Sequence, residues 1–242
     1  MMERYNIHRS IPALLIALLF MFTVLLAFIE VGFGEPRVDD EDAVSSRFIS
    51  DGVNETGSSN LVTSVVVNYR GFDTLGEVTV LFLAASGVGV LISILPEDRR
   101  KKNAEKAPPS FIVKTGARLV LPLIILFGVY VFIHGHLSPG GGFQGGVIIG
   151  SGILLYMISF PEFTPSKKAL AFSESLSGLA FAGIGIIGLA ISGIFLDNVI
   201  ADAGEIGTLV SAGLLPIIYI AIGIKVGSEL TGLVSKMRGD AS

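Results

Sequence analysis

Long, almost uncharged apolar runs constrain this chain more than any other feature of its sequence. Ile11–Phe33 and Phe72–Leu95 are two of these runs, and hydrophobic residues make up 51% of the 242 residues. A helix rises 1.5 Å per residue, so roughly 20 residues cross the ~30 Å hydrocarbon layer of a bilayer. We therefore predict an all-α integral membrane protein and not a soluble domain.

The apolar runs predict about six transmembrane helices, arranged as two plus four. The predicted spans are about Ile11–Phe33, Phe72–Leu95, Leu119–His134, Phe143–Phe160, Glu174–Leu196 and Ile206–Leu230. Leu61–Tyr69 is too short to cross a bilayer, so we predict a short interfacial helix there, with a bend near Gly71. Glu174 and Glu205 fall in the first turns of predicted spans, where the helix dipole favours a carboxylate, and we predict that both are caps.

The segments between the apolar runs predict the domain organisation. Residues 97–110 are strongly charged and end in Pro108 and Pro109, which is typical of a boundary between modules. We predict a two-span module at residues 1–96, a cytoplasmic linker at 97–110 and a four-span domain at 111–242. Gly34–Asn60 is polar and acidic and predicts an exposed loop, in which Asn54 begins a match to a glycosylation sequon.

The distribution of Lys and Arg predicts the orientation in the membrane. Basic residues concentrate before span one, between spans two and three, between four and five, and after six. The alternate loops hold only Arg37 and Arg47, with Arg70 at a boundary. The positive-inside rule then places both termini in the cytoplasm. We predict a multi-pass protein of the cell membrane.

Ionisable residues stand directly before the second long run. Arg70 precedes Asp73 by three residues and Glu77 follows Asp73 by four, so a helix would place all three side chains on one face. Thr74 and Glu77 also fit a capping box that opens the second span. Two interpretations stay open: a helix cap, or an ion path in which Asp73 and Glu77 serve as cation ligand and proton carrier.

Three further ionisable residues are weaker candidates for ion transport. His134 and His136 are two apart and make a poor metal pair, so they are either interfacial residues or part of a proton relay. Lys225 lies in the last turns of the predicted sixth span, with Glu229 four residues on. It either extends to the cytoplasmic interface or belongs to a proton path within the membrane.

The composition argues against several classes of cofactor and partner. With no cysteine, the chain can form neither a disulfide, nor a thiolate-bound iron–sulfur cluster, nor a cysteine zinc site. The basic residues cluster beside the spans, without the folded basic face of a nucleic-acid-binding protein. We expect no cofactor and no resident metal on this chain; a transient cation at Asp73 and Glu77 is the one metal contact expected.

Two stretches of the four-span region are similar to a known family. His134–Gly146, with its run Pro139-Gly140-Gly141-Gly142-Phe143, resembles the signature of the MnhB (MrpB) subunits of Mrp-type multisubunit Na⁺/H⁺ antiporters. Leu215–Gly227 resembles the end of the same kind of protein. Tyr69–Glu77 is similar to the carboxyl-terminal portion of the large MnhA-type subunits, and such modules also occur in archaeal membrane-bound hydrogenases and sulfane reductases.

The resemblance implies a function that the residue pattern alone leaves open. It implies ion-transport roles for Asp73 and Glu77, with Arg70 beside them, and a structural loop formed by Pro139, Gly140, Gly141, Gly142 and Phe143. It implies a transporter subunit with no catalytic residue. The expected partners are other antiporter subunits, the lipid bilayer, Na⁺ and H⁺, and a hydrogenase-like or sulfane-reductase-like redox arm where the complex is redox-driven. The alternative is a structural scaffold that joins neighbouring subunits and has no ion path.

Overall fold

The computed structural model describes residues 7–30, 43–94 and 108–238, and all regular secondary structure within these ranges is helical. The elements are α1 (Ile7–Glu30), α2 (Val44–Thr56), α3 (Leu61–Thr63), a π-helix (Ser64–Tyr69), α4 (Gly71–Ile94), α5 (Phe111–Ile133), α6 (Gly142–Ser159), α7 (Lys167–Ser192) and α8 (Leu215–Arg238). The chain divides into two compact units, Met1–Ser46 and Arg47–Ser242. The prediction of an all-α protein is confirmed.

In the described part of the second unit, five helices, α4 to α8, are long and apolar enough to cross a membrane. In the first unit, α1 has a shorter apolar stretch, Leu14–Ile29, whose side chains are all exposed. These helices make the chain a multi-pass membrane protein. The orientation of its termini stays a prediction.

Helices α4 to α8 run alternately up and down, so their connections gather at two ends. At the loop end, residues 57–70, 134–141 and 193–214 contact one another through hydrogen bonds. The opposite end, the basic end, carries a group of cations: Lys114, Arg118, Lys167, Lys168, Lys236 and Arg238. The loop end carries Arg47 and Arg70 among the described residues. This asymmetry follows the charge rule from which we predict that the basic end is cytoplasmic.

Glycines allow α6 to pack closely against two neighbours. A Cβ added at Gly146 would lie 2.7 Å from the carbonyl oxygen of Gly223 in α8. A Cβ added at Gly145 would lie 2.6 Å from the carbonyl oxygen of Gly128 in α5. Small residues bring helix backbones close together in lipid, where dispersion contacts and not the hydrophobic effect drive association. Helix α6 is therefore held between α5 and α8.

A buried apolar core fills the loop-end half of the second unit. Its members come from the π-helix, α4, α7, α8 and the 193–214 segment, and they are Val67, Val78, Phe181, Phe195, Leu196, Ala212, Leu215, Ile218, Tyr219, Ala221, Ile222 and Val226. Helix α8 supplies them from its first half only. From Lys225 onward the helix also carries charged and hydroxyl side chains into the interior, where Lys225, Glu229, Thr231 and Ser235 are buried.

The predicted sixth span starts too early. Residues 193–214 form an irregular segment, and α8 begins at Leu215, with Pro216 in its first turn, where a missing N–H costs nothing. Gly204 and Gly207 have φ of 85° and 92°, a backbone conformation incompatible with a helix. Lys225 therefore lies about 15 Å from the start of α8 and about 20 Å from its end, near the middle of the span.

Three predicted helix caps are wrong, because none of these residues lies at the start of a helix. Helix α7 begins at Lys167, where the Ser166 hydroxyl accepts a hydrogen bond from the Ala169 N–H, so Glu174 lies beyond the first turn. Glu205 lies in the irregular segment. Helix α4 begins at Gly71, so Thr74 is not its cap; the Thr74 hydroxyl donates instead to the Val66 carbonyl oxygen at 2.6 Å.

The segment before α4 is more ordered than the sequence predicts. Part of the predicted loop Gly34–Asn60 is the helix α2, where Phe48 stacks on Tyr69 with ring centroids 4.6 Å apart. Asn54 lies on α2. The predicted break near Gly71 is confirmed: the π-helix ends at Tyr69, and Arg70 leaves the helical conformation. Residues 31–42, and residues 95–107 with most of the predicted linker, lie outside the described ranges.

Candidate functional site

A buried polar network fastens the loop end of the bundle. The Asn60 side-chain amide donates to the carbonyl oxygens of Gly135 and Ser138, at 2.7 and 2.9 Å. The Thr63 hydroxyl donates to the Gly135 carbonyl at 2.6 Å and accepts from the Tyr219 hydroxyl at 2.8 Å. Buried polar groups are costly without such partners, so these bonds fix the α5–α6 loop against the start of α8.

Asn198 fixes the 193–214 segment to the loop end through four hydrogen bonds. Its side chain is buried, donates to the carbonyls of Thr56 and Ala212, and accepts from the Leu214 N–H, all at 2.9 Å. Its own N–H donates to the Asn68 side chain at 2.8 Å. One residue thus joins the segment to the π-helix and to the start of α8, and the loop end is closed.

The glycine-rich loop lies where the sequence predicts a tight, closely approached turn. Gly140 and Gly141 have positive φ, and a Cβ added at Gly142 would lie 2.7 Å from the Tyr219 carbonyl oxygen. Phe143 packs against the apolar core, whereas Pro139 is exposed. Through these contacts the loop packs closely against α8 and the apolar core, and its role in an ion path stays a prediction.

The two histidines occupy different environments at the loop end. His134 stacks on Tyr130, with ring centroids 4.1 Å apart, and its Nδ1 is 3.0 Å from the Tyr130 carbonyl oxygen. His136 is fully buried, with Nε2 at 3.4 Å from the Thr208 carbonyl oxygen. Its Nδ1 has no hydrogen-bond partner in the described part of the chain. Burial lowers the pKa of His136 below its ordinary value.

We expect His136 to make the stability of the protein depend on pH. Its folded-state pKa is lowered, so the unfolded chain takes up a proton that the folded chain does not, and stability falls as the pH drops below about 6.5. The free energy of unfolding falls by about 1.4 kcal/mol for each pH unit between the unfolded-state pKa and the folded-state pKa of His136. Unfolding temperatures measured from pH 7.5 to 5 should fall less steeply for His136→Gln. Equal slopes for His136→Gln and the natural protein would contradict the assignment.

Arg70, Asp73 and Glu77 lie on the surface of the loop end. Arg70 forms an ion pair with Asp73, and both side chains are more than half exposed. Glu77 is also exposed, one turn further along α4. Surface ion pairs contribute little to stability, about 0–1 kcal/mol. The structure keeps this predicted group together and leaves it open to a partner protein, to lipid or to solvent.

Buried charges lie in the middle of the bundle. Lys225 is 8% exposed and Glu229 is 4% exposed, and Lys225 Nζ is 3.1 Å from Glu229 Oε1. On its other side, Lys225 Nζ is 4.0 Å from Glu174 Oε1 of α7 and 5.4 Å from the ring centroid of Phe82 of α4. We call Glu174, Lys225 and Glu229 the buried charge cluster. Lys225 therefore does not extend to the interface, because its ammonium group is held inside by two carboxylates.

The buried charge cluster borders a cavity. The cavity has a volume of about 390 Å³ and lies between α4, α7 and α8, with Glu174 and Glu229 in its wall. Glu229 Oε2 is buried and has no hydrogen-bond partner among the described residues. Ion pairs at such depth are expensive and are usually functional. The arrangement can hold a proton or a cation and can exchange it with water in the cavity.

The sequence prediction does not identify Glu174 or Glu229 as members of this cluster, and it places Lys225 near the end of its span instead of the middle. It makes Glu174 a cap and Glu229 only the neighbour of Lys225. The useful signal is the group Gly204, Gly207 and Gly213 before Pro216, which marks the true start of α8. Neither His134 nor His136 lines the cavity, and Asp73 and Glu77 do not line it either.

The fold defines a multi-pass membrane protein that holds a charge cluster inside its helix bundle. A family model described as a domain related to the MnhB subunit of Na⁺/H⁺ antiporters matches residues 112–232. A second model, MbhE of the MBH complex, matches residues 14–106. The chain belongs to the MnhB-related family.

Several proteins are similar to this chain in sequence. An uncharacterised protein of Methanocaldococcus jannaschii is 31% identical over 210 residues, which are 76% of this chain and 80% of that protein. The B component of a Na⁺/H⁺ antiporter of Bacillus subtilis is 31% identical over 90 residues, 37% of this chain and 59% of the relative. The A/B component of a probable K⁺/H⁺ antiporter of Rhizobium meliloti is 30% identical over 139 residues, 49% of this chain and 14% of that protein.

Two solved structures contain chains with the same fold. A chain of the membrane-bound sulfane sulfur reductase, an archaeal respiratory membrane complex, is 41% identical with a TM-score of 0.74, and the match covers 95% of this chain and 97% of that one. A chain of the Mrp complex from Dietzia sp. DQ12-45-1b has a TM-score of 0.70 at 23% identity, over 100% of this chain and 27% of that one. The second likeness concerns the fold alone.

Proposed function

We propose that this chain is a membrane subunit of a multisubunit Na⁺/H⁺ antiporter module and couples sodium and proton translocation within a larger complex. The observation that carries the proposal is the buried charge cluster near the middle of α8. Lys225, Glu229 and Glu174 are an expensive arrangement in a membrane helix bundle, and apolar side chains would pack there at lower cost. Membership of the MnhB-related family agrees with a transport role.

The proposal includes a set of partners. The sulfane sulfur reductase is by name a membrane complex and the Mrp assembly is by name a complex, and chains of both share this fold. We propose other antiporter subunits as neighbours, a redox arm like that of the sulfane reductase as the source of energy, and no cofactor on this chain. The proposed organisation is a two-span module at residues 1–96, a linker at 97–110 and an MnhB-like domain at 111–242.

Asp73 and Glu77 have a separate place in the proposal. They are exposed at the loop end, beside the ion pair of Arg70 with Asp73. We propose that they attract Na⁺ at an outer entrance, where exposed carboxylates raise the local concentration of cations. His134, His136 and Lys225 are the weaker sequence candidates, and of these Lys225 has the strongest structural support.

A second candidate function is structural. Large apolar side chains are exposed along α5, among them Leu119, Leu123 and Leu126, each more than 60% exposed. Such a face fits lipid or the helices of neighbouring subunits, and on this alternative the chain joins subunits without carrying ions. The observation explains the surface of the chain, but it gives no reason for the buried charge cluster.

We expect Glu229→Gln to abolish Na⁺-dependent proton uptake while the complex still assembles. Glutamine has nearly the same shape but cannot exchange a proton, and it leaves Lys225 paired with Glu174. The measurement is proton uptake by sealed vesicles that contain the assembled complex, after a Na⁺ pulse. Asp73→Asn and Glu77→Gln are expected to raise the Na⁺ concentration needed for half-maximal uptake and to leave the maximal rate closer to normal.

The matched control is Glu162→Gln at the basic end, where the carboxylate is exposed and 3.9 Å from Lys114 Nζ. It should leave uptake unchanged. Normal Na⁺-dependent uptake in Glu229→Gln, Asp73→Asn and Glu77→Gln alike would support the scaffold function instead.

A further inference from the structure

We propose that the cavity between α4, α7 and α8 is a water-filled proton vestibule, which opens at the basic end and loads a proton onto Glu229. This inference rests on the proposed function, since it assigns the proton half of the exchange to the buried charge cluster. It also names the side from which the proton arrives.

The residues that line the cavity range from exposed lysines at the basic end to the buried carboxylate of Glu229. Lys167 at the start of α7 and Lys236 near the end of α8 are exposed and line the mouth. Glu174 and Ser228 are half-buried along its wall, and Glu229 is buried at its depth. One water needs roughly 10–15 Å³ of accessible space and two to four polar partners, and the cavity of about 390 Å³ offers both.

The unpartnered atom at this depth identifies what the cavity supplies. Glu229 Oε1 accepts from Lys225, whereas Glu229 Oε2 is buried with no protein partner in the described ranges. An orphaned carboxylate oxygen is costly unless water or a ligand satisfies it. Because Glu229 is part of the cavity wall, water in the vestibule is the donor that this oxygen lacks.

The charge arrangement favours a proton over Na⁺ as the ion that arrives. Lys225 Nζ already occupies the position between the two carboxylates, at 3.1 Å from one and 4.0 Å from the other. A Na⁺ would have to displace this ammonium group or lie beside it, and it would need several oxygen ligands to replace its hydration shell. A proton needs one lone pair, which Glu229 Oε2 provides.

Loading a proton would move one side chain. A hydronium ion in the vestibule gives its proton to the Glu229 carboxylate and becomes water. Glu229 is then neutral, so the Lys225 ammonium turns to Glu174, which is already 4.0 Å away. Gly178 leaves space for this turn, since even an added Cβ there would lie 3.7 Å from Lys225 Cδ. The pair exchange gives the cluster two discrete states.

Within residues 7–30, 43–94 and 108–238, few charged groups lie around Glu229. Helix α7 contributes Glu174 and Lys167 to the cavity wall, and α8 contributes Lys236. Helix α8 also carries Lys225, which is paired with Glu229. The cavity wall formed by α4 consists of Phe82, Ala85 and Ser86, none of which titrates. Helix α6 has no charged residue along Gly142–Ser159. The protonation of Glu229 is therefore governed by Lys225, Glu174 and the water of the vestibule, with the two lysines at the mouth as a more distant influence.

Cysteine labelling of the assembled complex in sealed vesicles tests the vestibule. The natural chain has no cysteine, so every label on it reports the introduced residue. Ser228→Cys and Ser86→Cys place a thiol in the cavity wall. The matched control is Ser175→Cys, which adjoins Glu174 but is exposed on the outer face of the membrane-spanning helix α7, where lipid and not water surrounds it. We expect a membrane-impermeant thiol reagent to label Ser228→Cys at least tenfold faster than Ser175→Cys, and from one side only. Labelling from both sides, or no faster than the control, overturns the proposal.

Infrared difference spectroscopy of the same complex tests the ion. Acidification should produce a protonated-carboxyl band that is absent in Glu229→Gln and present in Glu174→Gln and Asp73→Asn. Addition of Na⁺ at constant pH should leave this band unchanged. A band that Na⁺ removes, or one that survives in Glu229→Gln, overturns the assignment of the proton to Glu229.

The failure of this inference can be distinguished from the failure of the proposed function. One-sided labelling and the Glu229 band, together with normal exchange in Glu229→Gln, would support the vestibule and refute the coupling function. Loss of exchange in Glu229→Gln without the labelling or the band would support the coupling function and refute the vestibule.

Discussion

Lys225→Met is expected to destabilise the second unit by about 3–5 kcal/mol, the usual result of removing one partner from a buried ion pair. Methionine keeps the volume and the packing on Phe82, but Glu229 then loses its hydrogen-bond donor at 3.1 Å while both residues stay buried. The measurement is equilibrium unfolding of the purified complex in mixed micelles with increasing SDS. Na⁺-dependent proton uptake should fall at least tenfold in the fraction that assembles.

The double variant Lys225→Met, Glu229→Leu separates stability from transport. Replacing a buried ion pair by apolar side chains of similar volume is often neutral or stabilising, so this protein should unfold within about 1 kcal/mol of the natural chain. It should transport nothing. Lys168→Ala, an exposed lysine of α7 that does not line the cavity, should change neither property. A double variant that is less stable than Lys225→Met alone would mean that the cluster is held by something other than this pair.

Gly146→Ala is expected to destabilise the bundle by about 1–3 kcal/mol, although it adds a single methyl group. That methyl would lie 2.7 Å from the Gly223 carbonyl oxygen and 2.8 Å from Val226 Cβ. Backbone cannot move aside as a flexible side chain can, so α6 and α8 must separate. The same SDS titration measures the effect, and Val226 adjoins Lys225, so the vestibule label at Ser228→Cys should also change its rate.

Gly183→Ala is the matched control, because an added Cβ there meets no atom within 4 Å. Gly183 is also within a helix, α7, and alanine is the better helix former by about 1 kcal/mol, so this variant should be neutral or slightly stabilised. The two substitutions are chemically identical and should differ in their effect on stability. If both lower the stability equally, close packing of α6 on α8 is not the reason.

The sequence predicts most of the fold because the lipid-crossing helices are long and nearly uncharged. The start of α6 and the end of α5 agree with prediction within a residue, since His134–Gly141 contains the turn residues that stop one helix and precede the next. The start of α8 does not. Ile206, Leu209 and Val210 are as apolar as a span, and hydropathy does not register the positive φ of Gly204 and Gly207.

The sequence prediction misses the candidate site through that boundary and through the start of α7, which lies seven residues before Glu174. A start at about residue 206 places Lys225 at the end of its span, where a lysine is unremarkable; a start at Leu215 places it in the middle. The approach of Glu174 could not be predicted, because it depends on how α7 lies against α8 and on no local pattern. The Asp73 and Glu77 spacing is informative about the helix face, but exposure depends on what else packs there.

One half of the bundle is filled by apolar side chains and the other contains a cavity, and this difference affects where the membrane voltage falls. Ile218, Ile222 and Phe181 lie between the buried charge cluster and the loop end, and they are at most 1% exposed, whereas the basic-end half contains the vestibule. A transmembrane voltage falls mainly across the layer that excludes water. A proton would therefore reach Glu229 at little electrical cost, and any charge that continues past the apolar core would cross most of the voltage, about 2.3 kcal/mol per elementary charge at 100 mV. On the proposed proton path, the apolar core is then the insulating layer of the protein.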